Sequence, residues 1–243
     1  MKKPSFEFAT AGIPTTNRSN PDSPVRMLPF PENPSISLLP EGAVFLIESR
    51  TLVVADVHLG KSATFRARGL PVPEGDTGRD LARLTALAEK YAAAHLVIAG
   101  DLFHAPAGIT PELEEELDRF LTTISMPVTL VMGNHDAKIK RLPAGLDPLP
   151  HLDLGDTLRI LHDPAHADGD RLHISGHWHP IVKIPDGKRT SLRLPCFLFR
   201  NNTLVLPAFG SFTGGAVMSS EPGDRYFVEL RGKVVEIPPD IFR

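Results

Sequence analysis

Aspartate, asparagine and histidine recur at the ends of four short apolar runs in this chain. The runs are LVVADVHLGK at 52–61, LVIAGD at 96–101, TLVMGNHD at 129–136 and LHISGHWH at 172–179. They deliver Asp56, His58, Asp101, Asn134, His177 and His179, and His162 follows a further strand-like run, LRILH. Carboxylate and amide oxygens mixed with imidazoles suit Mn²⁺, Fe or Zn²⁺ better than Ca²⁺. Two such ions about 3.5–4 Å apart can clamp a phosphoryl group, activate water between them and stabilise a leaving oxygen. The chemistry expected from these residues is therefore that of a two-metal centre.

Such residues are useful only if buried strands place them together. Releasing ligands just past the carboxyl ends of strands is how an α/β sheet builds a site on one edge. Strands are expected at 43–48, 51–55, 96–99 and 128–132, with a tight turn at Ser49–Arg50. Leu81, Leu84, Leu87 and Tyr91 share one face of a helix expected from Thr77 to about Ala94. A second helix begins with Thr110 as N-cap and Pro111 at its first position, and Glu112, Glu114 and Glu115 favour its positive end. After Leu149 the pattern is a series of short β-like runs at 157–161, 172–175, 181–184, 191–199, 203–206, 225–230 and 233–237. An α/β half followed by a mostly β half implies two packed sheets, the first flanked by helices.

The chain has 243 residues, enough for one domain with a full core, and a net charge of −3 that by itself does not point to nucleic acid. Residues 1–34 are rich in Pro, Ser, Asn and Thr and are expected to be a loose tail, with Phe6 or Phe8 as possible anchors. One domain is expected over 35–243. Cys196 is the lone cysteine, which excludes an intramolecular disulfide and reads as a small buried hydrophobe. With neither a secretory signal nor a membrane-length apolar run in view, a cytoplasmic location is expected.

The ordered series DVH, GD, GNHD, H, GHWH resembles the calcineurin-like binuclear metallophosphoesterase superfamily. The resemblance implies a four-layer α/β/β/α sandwich of two mixed sheets. It also implies Asp56, His58 and His179 on one ion, Asn134, His162 and His177 on the other, and Asp101 bridging. His135 would contact the phosphoryl group and protonate the leaving oxygen, Asp136 would fix its tautomer, and Asn134 could also bond a phosphate oxygen. His162 is taken as the fourth motif because it directly follows a strand. His166 lies in a loop and His173 inside the next strand, while His151 and His95 read as ordinary surface or packed histidines. His104, three past Asp101, is expected to make a hydrogen bond or touch substrate.

More specific is DVHLGKSATFRARGLPVPEGDTGRDLARL at 56–84, followed by GDLFHA. From about Ser35 onward the chain resembles DNA ligase-associated metallophosphoesterases, which are encoded beside a DNA ligase and a helicase. That resemblance implies a manganese-dependent phosphodiesterase or DNA endonuclease in DNA repair. Co is a further possible metal. Lys61, Arg66 and Arg68, in an expected loop after the first motif, would meet the phosphates flanking a diester. Lys183, Lys188, Arg189, Arg193 and Arg200 read as solvated charges or a second part of such a surface, and Trp178 as a packing or base-stacking ring. The alternative activity is a phosphomonoesterase or small-nucleotide hydrolase on the same centre. A catalytically silent scaffold would have lost ligands, and every expected ligand type is present.

Overall fold

A computed structural model describes residues 27–185 and 190–238 of the chain. Its first sheet has the order β1 (Leu28–Phe30), β2 (Asn33–Leu39), β3 (Ala43–Leu46), β4 (Thr51–Val54), β5 (His95–Ala99), β6 (Val128–Val131), β7 (Asp147–Leu149). Neighbours are antiparallel from β1 to β4 and parallel from β4 to β7. The parallel strands are apolar at almost every position because both their faces are covered. Leu52 and Val54 of β4 point toward the helices, while Val53 between them points toward the second sheet.

Three helices pack with this sheet: α1 (Lys61–Ala67), α2 (Asp76–Lys90) and α3 (Pro111–Thr123). Leu81, Leu84 and Leu87 of α2 and Leu113, Leu117 and Phe120 of α3 bury against Phe45, Leu96, Ile98 and Leu130. Thr110 caps α3 as expected, its hydroxyl accepting from the Leu113 amide at 3.3 Å.

The second sheet contains β8 (Leu152–Leu154), β9 (Leu158–Ile160), β10 (Leu172–Ser175), β11 (Pro180–Pro185), β12 (Ser191–Arg200), β13 (Thr203–Val205), β14 (Ala216–Val217), β15 (Arg225–Leu230) and β16 (Lys233–Ile237). Its main path runs β14-β11-β12-β13-β10-β9-β8, with β15 on β12 and β16 on β15. Ile160, Ile174, Phe197, Leu204 and Phe227 close the core against Val53, Val97 and Val131 of the first sheet. Two packed mixed sheets with helices make the expected α/β sandwich, and Val182, Cys196, Leu198, Tyr226 and Val228 cluster on the outer face of the second sheet. Burial pushes the Cys196 thiol up to about 12, in keeping with a packing role.

Two expectations change. Residues 61–67 form α1 rather than a loop; seven residues are too few for apolar periodicity to announce a helix. Its start is held from outside, by Asp76 accepting from both the amide and the hydroxyl of Ser62. Strand pairing also begins before residue 35, at Leu28, where three prolines in 29–34 disguised an edge strand that tolerates them. Residues 1–26, with Phe6 and Phe8, lie outside the described residues, as do Lys188 and Arg189.

Phe30 of β1 is fully buried, with its ring edge-on to Phe199 at 5.2 Å and to Phe227 at 6.0 Å. Phe30→Ala is therefore expected to cost about 3–5 kcal/mol of stability, as large-to-small changes at buried aromatics do. Urea unfolding measures it; a cost below about 1 kcal/mol, within the range of surface changes, would detach β1 from the core. Among the described residues, no helix is long and apolar enough to cross a membrane.

Candidate metal centre

The ligand types stand where β4, β5 and β10 end. Asp56, His58, Asp101, His177 and His179 all have left-handed backbones, with φ of 57°, 53°, 53°, 72° and 46°. Each such residue costs about 1–3 kcal/mol unless its surroundings hold it, and such strain gathers at functional sites. Here the holding is done by neighbouring tips. The Asp56 amide donates to the Gly100 carbonyl at 3.0 Å, His58 to Asp101 at 2.9 Å, and Gly176 to His162 at 3.1 Å. Gly100 itself has φ +86°, and a Cβ on it would lie 2.0 Å from His162 Nδ1. A Cβ on Gly133 would lie 2.1 Å from Asp101 Oδ1, so only glycine lets these tips close on one another.

Two groups of ligand atoms result. In the first, His179 Nε2 is 3.1 Å from Asp56 Oδ1 and 3.3 Å from His58 Nε2. In the second, His162 Nε2 is 3.1 Å from Asn134 Oδ1, 3.1 Å from His177 Nδ1 and 3.4 Å from Asp101 Oδ2. Each carboxylate has one oxygen fixed by a backbone amide: Asp56 Oδ2 accepts from His177 at 2.9 Å, and Asp101 Oδ1 from His135 at 2.9 Å. The other oxygen turns to the imidazoles. His162 Nδ1 donates to the Ala99 carbonyl at 3.1 Å, which aims the Nε2 lone pair into the cluster. Asp56 Oδ1 is buried and makes no hydrogen bond. Converging acceptors without donors, one of them an orphaned buried carboxylate oxygen, fit a divalent cation in each group.

The electrostatics agree with that donor set. Burial pushes His58 down to about 3, aided by His179, Lys61 and His135 and opposed by Asp101, so this ring is neutral and ready to ligate. Burial would raise Asp101, but the bond and charge of His162 and the His135 amide bring it down to about 2. For His162 the balance is reversed: burial lowers it, and Asp101 lifts it to about 9.

His135 lies beside this centre. Its Nδ1 donates to the His104 carbonyl, leaving Nε2 as the nitrogen a substrate can use. Its ring is stacked on that of His104, centroids 5.3 Å apart, and stands 5.1 Å from His58. His104 thus acts on His135 rather than on a visible substrate surface. Burial first, then the charges of Lys61, His135 and Arg68, push its imidazole down to about 4. By residue type, His58, His104 and His135 make a third possible metal group, but it shares His58 with the first.

Asp136 does not reach the His135 ring, contrary to expectation. It is fully buried and accepts from the amides of Phe103 and Gly133, both at 3.0 Å. Burial nevertheless raises its carboxyl to about 6, against those hydrogen bonds. Its place is to brace the loop after β6 against the loop after β5, while the His104 carbonyl fixes the tautomer.

The basic residues divide. Lys61 is half-buried next to the first group; burial lowers its amine and Asp56 counters. Arg68 is exposed at the end of α1, close enough for its charge to act on His104. Arg66 instead turns away, pairing with Glu74 at 3.4 Å and donating to the Pro73 carbonyl at 3.2 Å. Arg200 is withdrawn too, buried in contacts with Asp224, Glu221 and the Ser219 carbonyl. Lys183 and Arg193 remain exposed on the β11–β12 hairpin. Trp178 packs on the outer cluster, with Arg200 at 5.8 Å over its ring.

The remaining histidines stand apart. His173 is buried and accepts from the Asp168 amide, His95 meets the Thr129 hydroxyl, and His151 pairs with Asp153. Nothing in residue type points to the Ala99 and His104 carbonyls, because a carbonyl has no residue-type signature.

Comparison with known proteins accords with this geometry. The family model for calcineurin-like phosphoesterases matches residues 49–193. A crystal structure of Pseudomonas putida nuclease MPE superposes with a TM-score of 0.68 and 31% identity, covering 83% of this chain and 94% of that one. YfcE, a phosphoesterase from E. coli, aligns at a TM-score of 0.34 and 15% identity, covering 79% of this chain and 99% of that one. A search of curated proteins found no match. With its ligand-bearing strand tips inside the matched region, the chain belongs to the calcineurin-like phosphoesterase family.

Proposed function

We propose that the protein is a metal-dependent phosphodiesterase that cuts nucleic acid, with DNA as its substrate. The observation that carries phosphoester hydrolysis is the pair of acceptor clusters beside an imidazole with one nitrogen held and the other available. The step to nucleic acid is supported by the likeness to a nuclease over 94% of that protein's chain, and by Lys61 and Arg68 at the two ends of α1, the helix after the first motif. The resemblance of 56–84 to ligase-associated enzymes supports a role in DNA repair beside a DNA ligase and a helicase.

Asp56, His58 and His179 would hold one ion, and Asn134, His162 and His177 the other, with Asp101 between them. When bound, two such ions supply an activated water and neutralise phosphoryl charge. The chain's own residues do the rest. The Asn134 amide nitrogen can donate to a phosphoryl oxygen while its Oδ1 faces the ligand cluster. Entering as the imidazolium, His135 would give its Nε2 proton to the leaving oxygen and relax to the neutral ring whose Nδ1–H the His104 carbonyl holds. Lys61 and Arg68 meet phosphates to one side.

A substrate panel on the full chain tests this reading. Metal-free protein reloaded in turn with Mn²⁺, Fe²⁺, Co²⁺ or Zn²⁺ is given an aryl monoester, a bis-aryl diester, and single-stranded and duplex DNA. Hydrolysis of the diester and of DNA is expected, with Mn²⁺ the best metal. Turnover of the monoester with neither diester nor DNA cut under any of the four metals would replace the proposal with a phosphomonoesterase.

A further inference from the structure

One wall of the centre is aromatic. Phe65, half-buried on α1, stands edge-on to His104 with ring centroids 5.9 Å apart, and Phe212 stands edge-on to Phe65 at 5.8 Å. Because His104 is stacked on His135, the rings form a row from the acid imidazole out to solvent. Phe212 ends that row 38% exposed.

The loop that carries Phe212 is tightly fastened. Gly210 donates to the Asp56 carbonyl at 3.2 Å, and Ala216 donates to the His179 carbonyl at 3.0 Å, so both ends are tied to ligand tips. Buried Asp80 of α2 accepts from the Ser211 amide at 2.9 Å and its hydroxyl at 3.2 Å. Arg83 joins Asp80 to the Phe209 carbonyl. A buried carboxylate is thus used to fix the backbone beside an exposed phenylalanine. Packing alone does not explain this, since over a third of the Phe212 surface is open to water. Cations flank the same element: Lys61 opens α1, the helix that carries Phe65, and Arg68 caps its end.

We propose that Phe212, backed by Phe65, is the stacking platform for the nucleobase adjoining the scissile phosphate on the leaving-oxygen side. The proposal rests on the nuclease reading and sharpens it. A ring face plus neighbouring cations recognises one nucleotide by its base and its phosphates, with no donor or acceptor aimed at a base edge. The ligand is therefore single-stranded or frayed DNA of any sequence, because a base within a duplex has no free face to offer. Phe212 contributes binding and alignment; it moves no proton.

The test uses the full Mn²⁺-loaded chain on a short single-stranded oligonucleotide and on its counterpart with abasic residues throughout. Removing the bases is expected to raise the wild-type KM about tenfold, within the range a single stacked base is worth. Phe212→Ala should raise KM on the normal oligonucleotide by the same factor and lose nothing further on the abasic one. Phe212→Trp should keep the wild-type KM. Leu230→Ala, an exposed apolar change on the β15–β16 hairpin, should match wild type on both. Wild-type KM in Phe212→Ala, an equal loss on both substrates, or a loss in Phe212→Trp as large as in Phe212→Ala overturns the stacking role alone. A wild type that cuts neither oligonucleotide overturns the nuclease reading and this proposal with it.

Discussion

Asp101→Asn is expected to lower diester hydrolysis by at least about a thousandfold, equivalent to ~4 kcal/mol of lost transition-state stabilisation. The side chain is almost wholly buried, one oxygen held by the His135 amide and the other facing His162. An amide is close to the same size and can still accept from His135, so the fold should survive. What it lacks is the second anionic oxygen. Without that charge the principal anionic partner of His162, and of a divalent ion beside it, is lost. Metal content by mass spectrometry should fall from two ions per chain to one or none, with thermal unfolding of the metal-free protein little changed. Two ions still bound with activity intact would remove Asp101 from the bridging position.

His135→Ala should separate chemistry from metal binding. Both ions are expected to stay, because the Asp101 contact comes from the backbone of residue 135 and not from its ring. Loss of a positioned acid lowers kcat by about 10²- to 10⁴-fold. The loss should be largest for DNA, whose alkoxide leaves poorly, and smallest for a bis-nitroaryl diester, whose leaving group needs little protonation. A uniform loss across leaving groups would make His135 a phosphoryl-binding residue instead of an acid. His104 serves as the companion measurement. Its carbonyl, not its ring, holds His135, so a side-chain change there should leave more activity than His135→Ala leaves.

The strand-tip candidates are legible because each lies within four residues of a strand end: once an unbroken apolar run is read as a strand, the residues after it have a known place on the sheet edge. The same logic singled out His162 over its neighbours. The role of Asp136 is hidden in the sequence because its partners are amides of Phe103 and Gly133, and backbone donors leave no trace in residue type. The direction of Arg66 is hidden for a related reason. Seen as part of a loop it could reach the site, but on α1 it faces the Pro73–Glu74 turn. The first strand was hidden because edge-strand prolines look like a linker, and only Phe30 meeting Phe227 across the core reveals it. Phe65 and Phe212 are ordinary residues in sequence, joined only where a short helix meets a distant loop.

The tips that form each acceptor cluster come from both sheets: Asp56 and His58 with His179, and Asp101 and Asn134 with His162 and His177. Neither cluster is complete in the first half of the chain. During synthesis from the N-terminus, the ribosome must therefore release residue 179 before the first ion has all its partners. On the proposed ligand set, a nascent α/β half would carry its carboxylates without their partner imidazoles until the second sheet packs against it. A truncated translation product ending before residue 177 would therefore lack a member of each acceptor cluster.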